Sequence, residues 1–201
     1  MQSNINNINE LPSINKVKKI LQGLALMDAI LMPEWEYRFF SYNCNWDEKG
    51  NESMASMRDG EGNEYFLYFS DLGVAGKLLF ENQIQNPLSI LEKIPDIFES
   101  FKNEVAFNLN HTTFFFWRSY QDEKWVVSPN NLKFYPLLGF IKNSYKGYQQ
   151  WAENYYERDI DSKTLKEVFT FLSVNSEQLS ILNSELTLED LKEDMEEILG
   201  K

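Results

Sequence analysis

Few residues in this chain are equipped for chemistry. It holds one histidine, His111, and one cysteine, Cys44. A single His excludes a multi-histidine metal centre, and a single Cys excludes an intramolecular disulfide and a Cys-rich zinc site. His111 precedes Thr112 and Thr113 at the start of an apolar run, and no catalytic partner can be assigned to it from the sequence. It reads as a structural or exposed residue. Cys44 lies in an aromatic stretch with no adjacent base, and reads as a buried, inert thiol. Carboxylates are plentiful, with 31 Asp and Glu. Pairs such as Glu34 with Glu36, or Asp122 with Glu123, have the groups for glycoside hydrolysis, but their abundance makes each pair uninformative. Asp47, Glu48, Asn51 and Glu52 approach a calcium loop without its full alternating pattern, and read as a solvated turn. Arg38, Arg58 and Arg118 fall in predicted strands. There each anchors an acidic ligand or pairs with one of the many carboxylates.

Composition narrows the classes further. The 201 residues are 43% hydrophobic and 15% aromatic, enough for a real core. Nine Gly without a phosphate-cradling loop argue against nucleotide binding. A net charge of −12 argues against binding nucleic acid or an anionic membrane. The opening MQSNINNINELPS lacks the basic start and apolar run of a secretory signal. The apolar stretch 20–32 carries Gln22 and Asp28 and is too short to span a bilayer. With the lone Cys, these features lead us to expect a cytoplasmic protein with no metal and no cofactor.

The elements that must position these residues suggest one α+β domain over 1–201. Residues 1–12 read as a loose polar leader. Val17, Ile20, Leu21, Leu24, Met27 and Leu31 predict an amphipathic helix over 14–31, capped by Ser13 and stopped by Pro33. Residues 35–82 read as a four-strand antiparallel meander. Gly60, Glu61, Gly62 and Asn63 make one turn and Asp71, Leu72 and Gly73 another. Alternation puts Tyr65, Leu67 and Phe69 on one face and Phe66 and Tyr68 on the other. Pro87 and Pro95 open short helical stretches, with Ile94, Ile97, Phe98, Phe101 and Val105 as a stripe. A hairpin over 112–128 extends the sheet, and 128–144 reads as loop. The part from 145 to 201 reads as mostly helical. Trp151 and Tyr155 are expected in the core, and a last helix is capped by Thr187 with Asp190 and ended by Gly200.

The acid is concentrated at the end. Residues 151–201 hold thirteen Asp or Glu against five Lys or Arg. Glu189, Asp190, Glu193, Asp194, Glu196 and Glu197 crowd the final helix, which reads either as a solvated face or as an electrostatic attractor for a basic protein.

Three segments are distinctive together: MASMRDGEGNEYF at 54–66, TTFFFWRSY at 112–120 and YQQWAENYYERDID at 148–161. Over roughly residues 30–200 the chain resembles bacterial cytoplasmic proteins of immunity-protein type, broadly like the SUKH immunity proteins of polymorphic toxin systems. The resemblance implies an α+β fold with a central antiparallel sheet, no catalytic residue, no cofactor, and toxin neutralisation by direct binding. It carries no binding residue over to this chain. An acidic surface suits a basic toxin domain, with Trp117 and Trp125 as expected aromatic anchors at the centre of the interface. The alternatives are an enzyme, such as a hydrolase using paired carboxylates, and a small-ligand sensor using the aromatic surface of the sheet.

Overall fold

The computed structural model describes residues 4–130 and 132–201. A 3₁₀ turn at Ile8–Glu10 leads into helix α1 (Ile14–Leu31). Strands β1 (Phe40–Asn43), β2 (Ser53–Arg58), β3 (Glu64–Phe69) and β4 (Gly73–Leu79) follow. Short helices α2 (Pro87–Leu91) and α3 (Glu99–Asn103) precede β5 (Phe114–Ser119) and β6 (Val126–Ser128). Then come α4 (Gly139–Tyr155), α5 (Ser162–Phe171), α6 (Ser176–Leu182) and α7 (Lys192–Leu199). The strands form one sheet in chain order, β1-β2-β3-β4-β5-β6, with every neighbour antiparallel. The expected α+β class, a meander continued by a hairpin and packed on helices, is what the chain adopts.

Both sheet faces are apolar because both are covered. On one face Tyr65, Leu67 and Phe69 join Phe114, Phe116 and the helices in the larger core. On the other, Phe66 and Tyr68 meet Phe98, Phe101 and Phe107 from the 87–109 segment, which forms a roof over the sheet. Gly76 pairs with Phe116 across β4 and β5, and a Cβ there would lie 2.7 Å from the Phe116 ring. Its missing side chain is the space that the ring fills. Lys77, alone in charge on the roofed face of β4, is buried. Its ammonium donates to Glu64 (2.6 Å) and to the His111 carbonyl (3.0 Å). Desolvation lowers its pKa, and Glu64 opposes that.

Helix α1 is more central than its sequence predicts. From Gly23 to Leu31 every residue is buried. Gly23 lets α5 approach, since a Cβ there would sit 2.9 Å from the Phe169 ring. Within this apolar turn lies Asp28, fully buried. Its Oδ2 accepts the backbone N–H groups of Phe39 (2.7 Å) and Phe40 (2.9 Å). Its Oδ1 accepts the hydroxyls of Tyr148 (2.6 Å) and Tyr156 (3.2 Å). Burial pushes the Asp28 carboxyl up from 3.8 to about 6, against the pull of these hydrogen bonds. Tyr65 is also buried, and its hydroxyl has no partner among the described residues.

Several expectations are corrected. Within the described part of 1–12, residues 4–12 are not loose. Ile5 bridges to Tyr135, Asn7 and Glu10 form a capping box, and Ile5, Ile8 and Leu11 are buried. Residues 1–3 lie outside the described residues. Trp35–Tyr37 is a 3₁₀ turn and not strand. Ser13 precedes α1 without a side-chain cap bond. In the roof, Ile94, Phe98 and Phe101 are buried, but Ile97 and Val105 face solvent. Residues 139–143, expected as loop, are helical and begin α4, which breaks direction at Ser144. Of the expected core residues, Trp151 is half-buried and Tyr155 is 51% exposed. Thr187 and Asp190 do bond reciprocally, but they close a turn, and the regular helix α7 begins at Lys192. Gly200 ends it in the left-handed conformation.

The Asp28 cluster separates two tyrosines that look alike in sequence. Tyr148→Phe removes a hydrogen bond to a buried carboxyl and should cost about 1.5–3 kcal/mol. Tyr65→Phe removes a hydroxyl with no partner and should be neutral or stabilising. Urea unfolding of both variants checks this; equal losses would show that Tyr65 is bonded as firmly as Tyr148.

Candidate functional site

Pro33 follows the end of α1, and acids then alternate with aromatics in Glu34, Trp35, Glu36 and Tyr37, all exposed. Arg38 pins this turn. Its guanidinium donates to the carbonyls of Met32 (2.8 Å) and Pro33 (2.6 Å) and forms a two-pronged ion pair with Asp194 at the start of α7. The Arg38 side chain is only 7% exposed, so it is structural and not free for a ligand. Phe39 then leans on α4, its ring centroid 4.6 Å from Trp151 and 4.8 Å from Tyr155. Tyr155 stacks on Trp151 at 5.2 Å and 17°, as the outer ring of the group.

These elements enclose a cleft of about 270 Å³. Trp35, Tyr37 and Tyr155 line it and are 58%, 60% and 51% exposed. Ser41 and Ser56 pair across β1 and β2 within the lining, their hydroxyls 2.6 Å apart. Arg58 closes β2 with its guanidinium 5.1 Å from the Phe66 ring centroid, and it has no ion pair among the described residues. The Asp59 carboxylate is occupied by the hairpin turn, accepting from the N–H groups of Glu61 and Asn63. Glu36 has no hydrogen bond or ion pair among the described residues. The lining thus offers exposed aromatic rings, the unengaged Glu36 carboxylate and the Arg58 guanidinium.

The residues singled out in the sequence are scattered by the fold. Trp117 is buried under the roof and Trp125 in the larger core, where its indole N–H donates to the Pro12 carbonyl at 3.0 Å. Neither presents a ring to a partner, which corrects their assignment as anchors. The six C-terminal acids do gather on α7 and the turn before it, in unequal states. Asp194 is bound to Arg38 and Asp190 to Thr187. Glu197 lies near Asn43, and burial with the nearby Asp194 charge raises its pKa. Glu189, Glu193 and Glu196 are exposed. His111 is exposed and bonds Asn108, and Cys44 is half-buried with its thiol donating to the Glu196 carbonyl. Asp47 accepts the N–H groups of Lys49, Asn51 and Glu52, closing a turn. No group of three or more His, Cys, Asp or Glu that could hold a metal ion occurs among the described residues. Asp122 accepts the Ser119 N–H within its hairpin. Among the described residues the rings of β3 and β5 pack into the two cores on either side of the sheet.

The sequence reading missed Trp35, Tyr37 and Tyr155 as surface groups. The alternation of acids and aromatics directly after Pro33 was the available signal, because charged neighbours oppose burial of a turn. The chain matches no family model, and comparison with curated proteins and with solved structures gave no significant match.

Arg38 is the link between this cleft and the acidic helix. Arg38→Met leaves the half-buried Asp194 carboxylate without its cation and two carbonyls without a donor. We expect a loss of about 3 kcal/mol in urea unfolding and faster amide exchange in α7 than in α5. An unchanged unfolding midpoint would show that the pair does not hold the turn.

Proposed function

We propose that this protein is a protein-binding module of immunity-protein type, which neutralises a basic toxin domain in the bacterial cytoplasm by direct stoichiometric binding. One observation carries the reading: three exposed aromatic rings line a single cleft, and an ion pair joins its wall to the most acidic helix among the described residues. Trp and Tyr dominate the energetic centres of protein interfaces, and a charged surround raises the rate of encounter. The net charge of −12 and the resemblance to SUKH-type immunity proteins support the same reading. Such charge repels nucleic acid and anionic membrane surfaces, and no helix among the described residues is long and apolar enough to cross a membrane. The binding needs no cofactor.

Charge and rings have separable roles. Acids act at a distance, screened over about 8 Å at physiological salt, and so govern association. Buried ring contacts govern dissociation. Asp190 and Asp194 have short structural bonds, whereas Glu197 meets Asn43 only at 3.3 Å and Glu189 meets Lys192 only at 3.9 Å, so the test uses Glu189, Glu193, Glu196 and Glu197, each changed to Gln. The first test is whether a gene beside this one encodes a toxin, whose C-terminal domain is then the partner; a neighbourhood without one would count against the reading. We expect a 1:1 complex whose association slows with salt, and a four-Gln variant that associates more slowly with a flatter salt slope. Absence of a complex would overturn the reading. An unchanged rate and slope would reduce these acids to a solvated helix face.

A further inference from the structure

We infer that the cleft between Trp35, Tyr37 and Tyr155 is a cation pocket that receives one arginine side chain of the partner. The inference rests on the protein-binding reading and names the group that this surface recognises. The three rings line one cavity, and no pair among Trp35, Tyr37 and Tyr155 is in ring contact. A flat cation entering such a lining is attracted to ring faces, where the quadrupole is negative. A guanidinium is planar and weakly hydrated, so it stacks there better than an ammonium does. Glu36 supplies a carboxylate at the same cavity, and it is engaged by nothing else among the described residues.

The charge around the cleft agrees. Glu34 and Glu61 are exposed on the two flanking turns, and the Asp59 charge is held at the rim by backbone N–H groups. Arg38 is neutralised by Asp194. Arg58 is the one opposing charge of the lining. Its guanidinium lies against Phe66, a ring of the roofed sheet face, and not against any of the three cleft rings. The cavity of about 270 Å³ has room for an arginine head group and part of its stem.

The probe is the capped tripeptide acetyl-Gly-Arg-Gly-amide, titrated into the full chain and followed by the Trp35 indole N–H in NMR. The citrulline and glutamate tripeptides serve as comparisons, having similar shape without charge and the opposite charge. We expect saturable shifts at Trp35, Ser41 and Ser56 with the arginine peptide alone, and a dissociation constant on the order of 1–10 mM. Trp35→Ala, a change at an exposed residue, should weaken binding about tenfold, and Glu36→Gln several-fold. Equal shifts with citrulline, or no shifts at Ser41 and Ser56, would overturn the pocket. Preference for the glutamate peptide, lost in Arg58→Ala, would show instead an anion site built on Arg58. A toxin complex that forms at unchanged affinity in Trp35→Ala and Glu36→Gln would overturn this inference and leave the protein-binding reading intact. Loss of any complex from the unaltered protein would remove that reading itself.

Discussion

A carboxylate buried in the last turn of α1 sets the geometry of the aromatic cleft. Asp28 takes hydrogen bonds from two consecutive backbone amides and two tyrosines, so one side chain fixes three parts of the chain at once. The amides of Phe39 and Phe40 start β1. With both turned toward α1, Phe40 is placed in the core and Phe39 leans toward Trp151 and Tyr155. Tyr148 and Tyr156 bracket Trp151 and Tyr155 on the last turns of α4 and just beyond it. The same carboxylate therefore sets both walls of the cleft: the 34–39 turn and the end of α4.

A second ionic contact extends this frame outward. Arg38 carries the turn to α7 through Asp194, and the backbone N–H of Cys44 bonds the Glu197 carbonyl at the far end of β1. Helix α7 is thus fastened along the edge strand of the sheet, with its remaining acids turned to solvent. Buried polar groups hold the shape, and exposed rings and carboxylates are left at the surface.

How much of this was readable in the sequence depended on the range of each interaction. The alternation in β3 and the three- and four-residue spacing in α1 were legible because their faces are set by local geometry. The Asp28 cluster was not. Its tyrosine partners lie 120 and 128 residues away, and an acid in an apolar run carries no mark of what will bond it. Tyr155 shares the helical spacing of Tyr148 and Trp151, but α4 runs off the core at its end and leaves that ring outside. Trp117 and Trp125 show the converse. Aromatic abundance could not say which rings were inside, and the assignment of anchors failed there. The leader was misread because Asn residues obscured Ile5, Ile8 and Leu11, which are spaced three apart. The acids of the last helix were legible as a cluster, but not the withdrawal of Asp194 into an ion pair with a residue 156 positions earlier.

The dependence of the frame on Asp28 is tested most directly by the pH profile of unfolding, with Asp28→Asn as reference. In the folded chain burial raises the Asp28 carboxyl to about 6, while the unfolded chain titrates near 3.8. Below about 3.8 both states are protonated and the contribution of Asp28 is at its most favourable. As pH rises the unfolded state loses its proton first, so stability declines until the folded carboxyl ionises near 6, a total of about 3 kcal/mol. The asparagine variant keeps the shape and cannot ionise. The neighbours facing the carboxyl are Tyr148, Tyr156 and Tyr65, whose pKa values burial raises, so they do not titrate in this range. The account predicts that the stability gap between wild type and variant, measured in urea at about pH 4 and about pH 7.5, shifts toward the variant by about 2.4 kcal/mol as pH rises, the rest of the total having been lost below pH 4. A gap that is constant between these values would contradict it, because Asp28 would then titrate alike in the folded and unfolded chain.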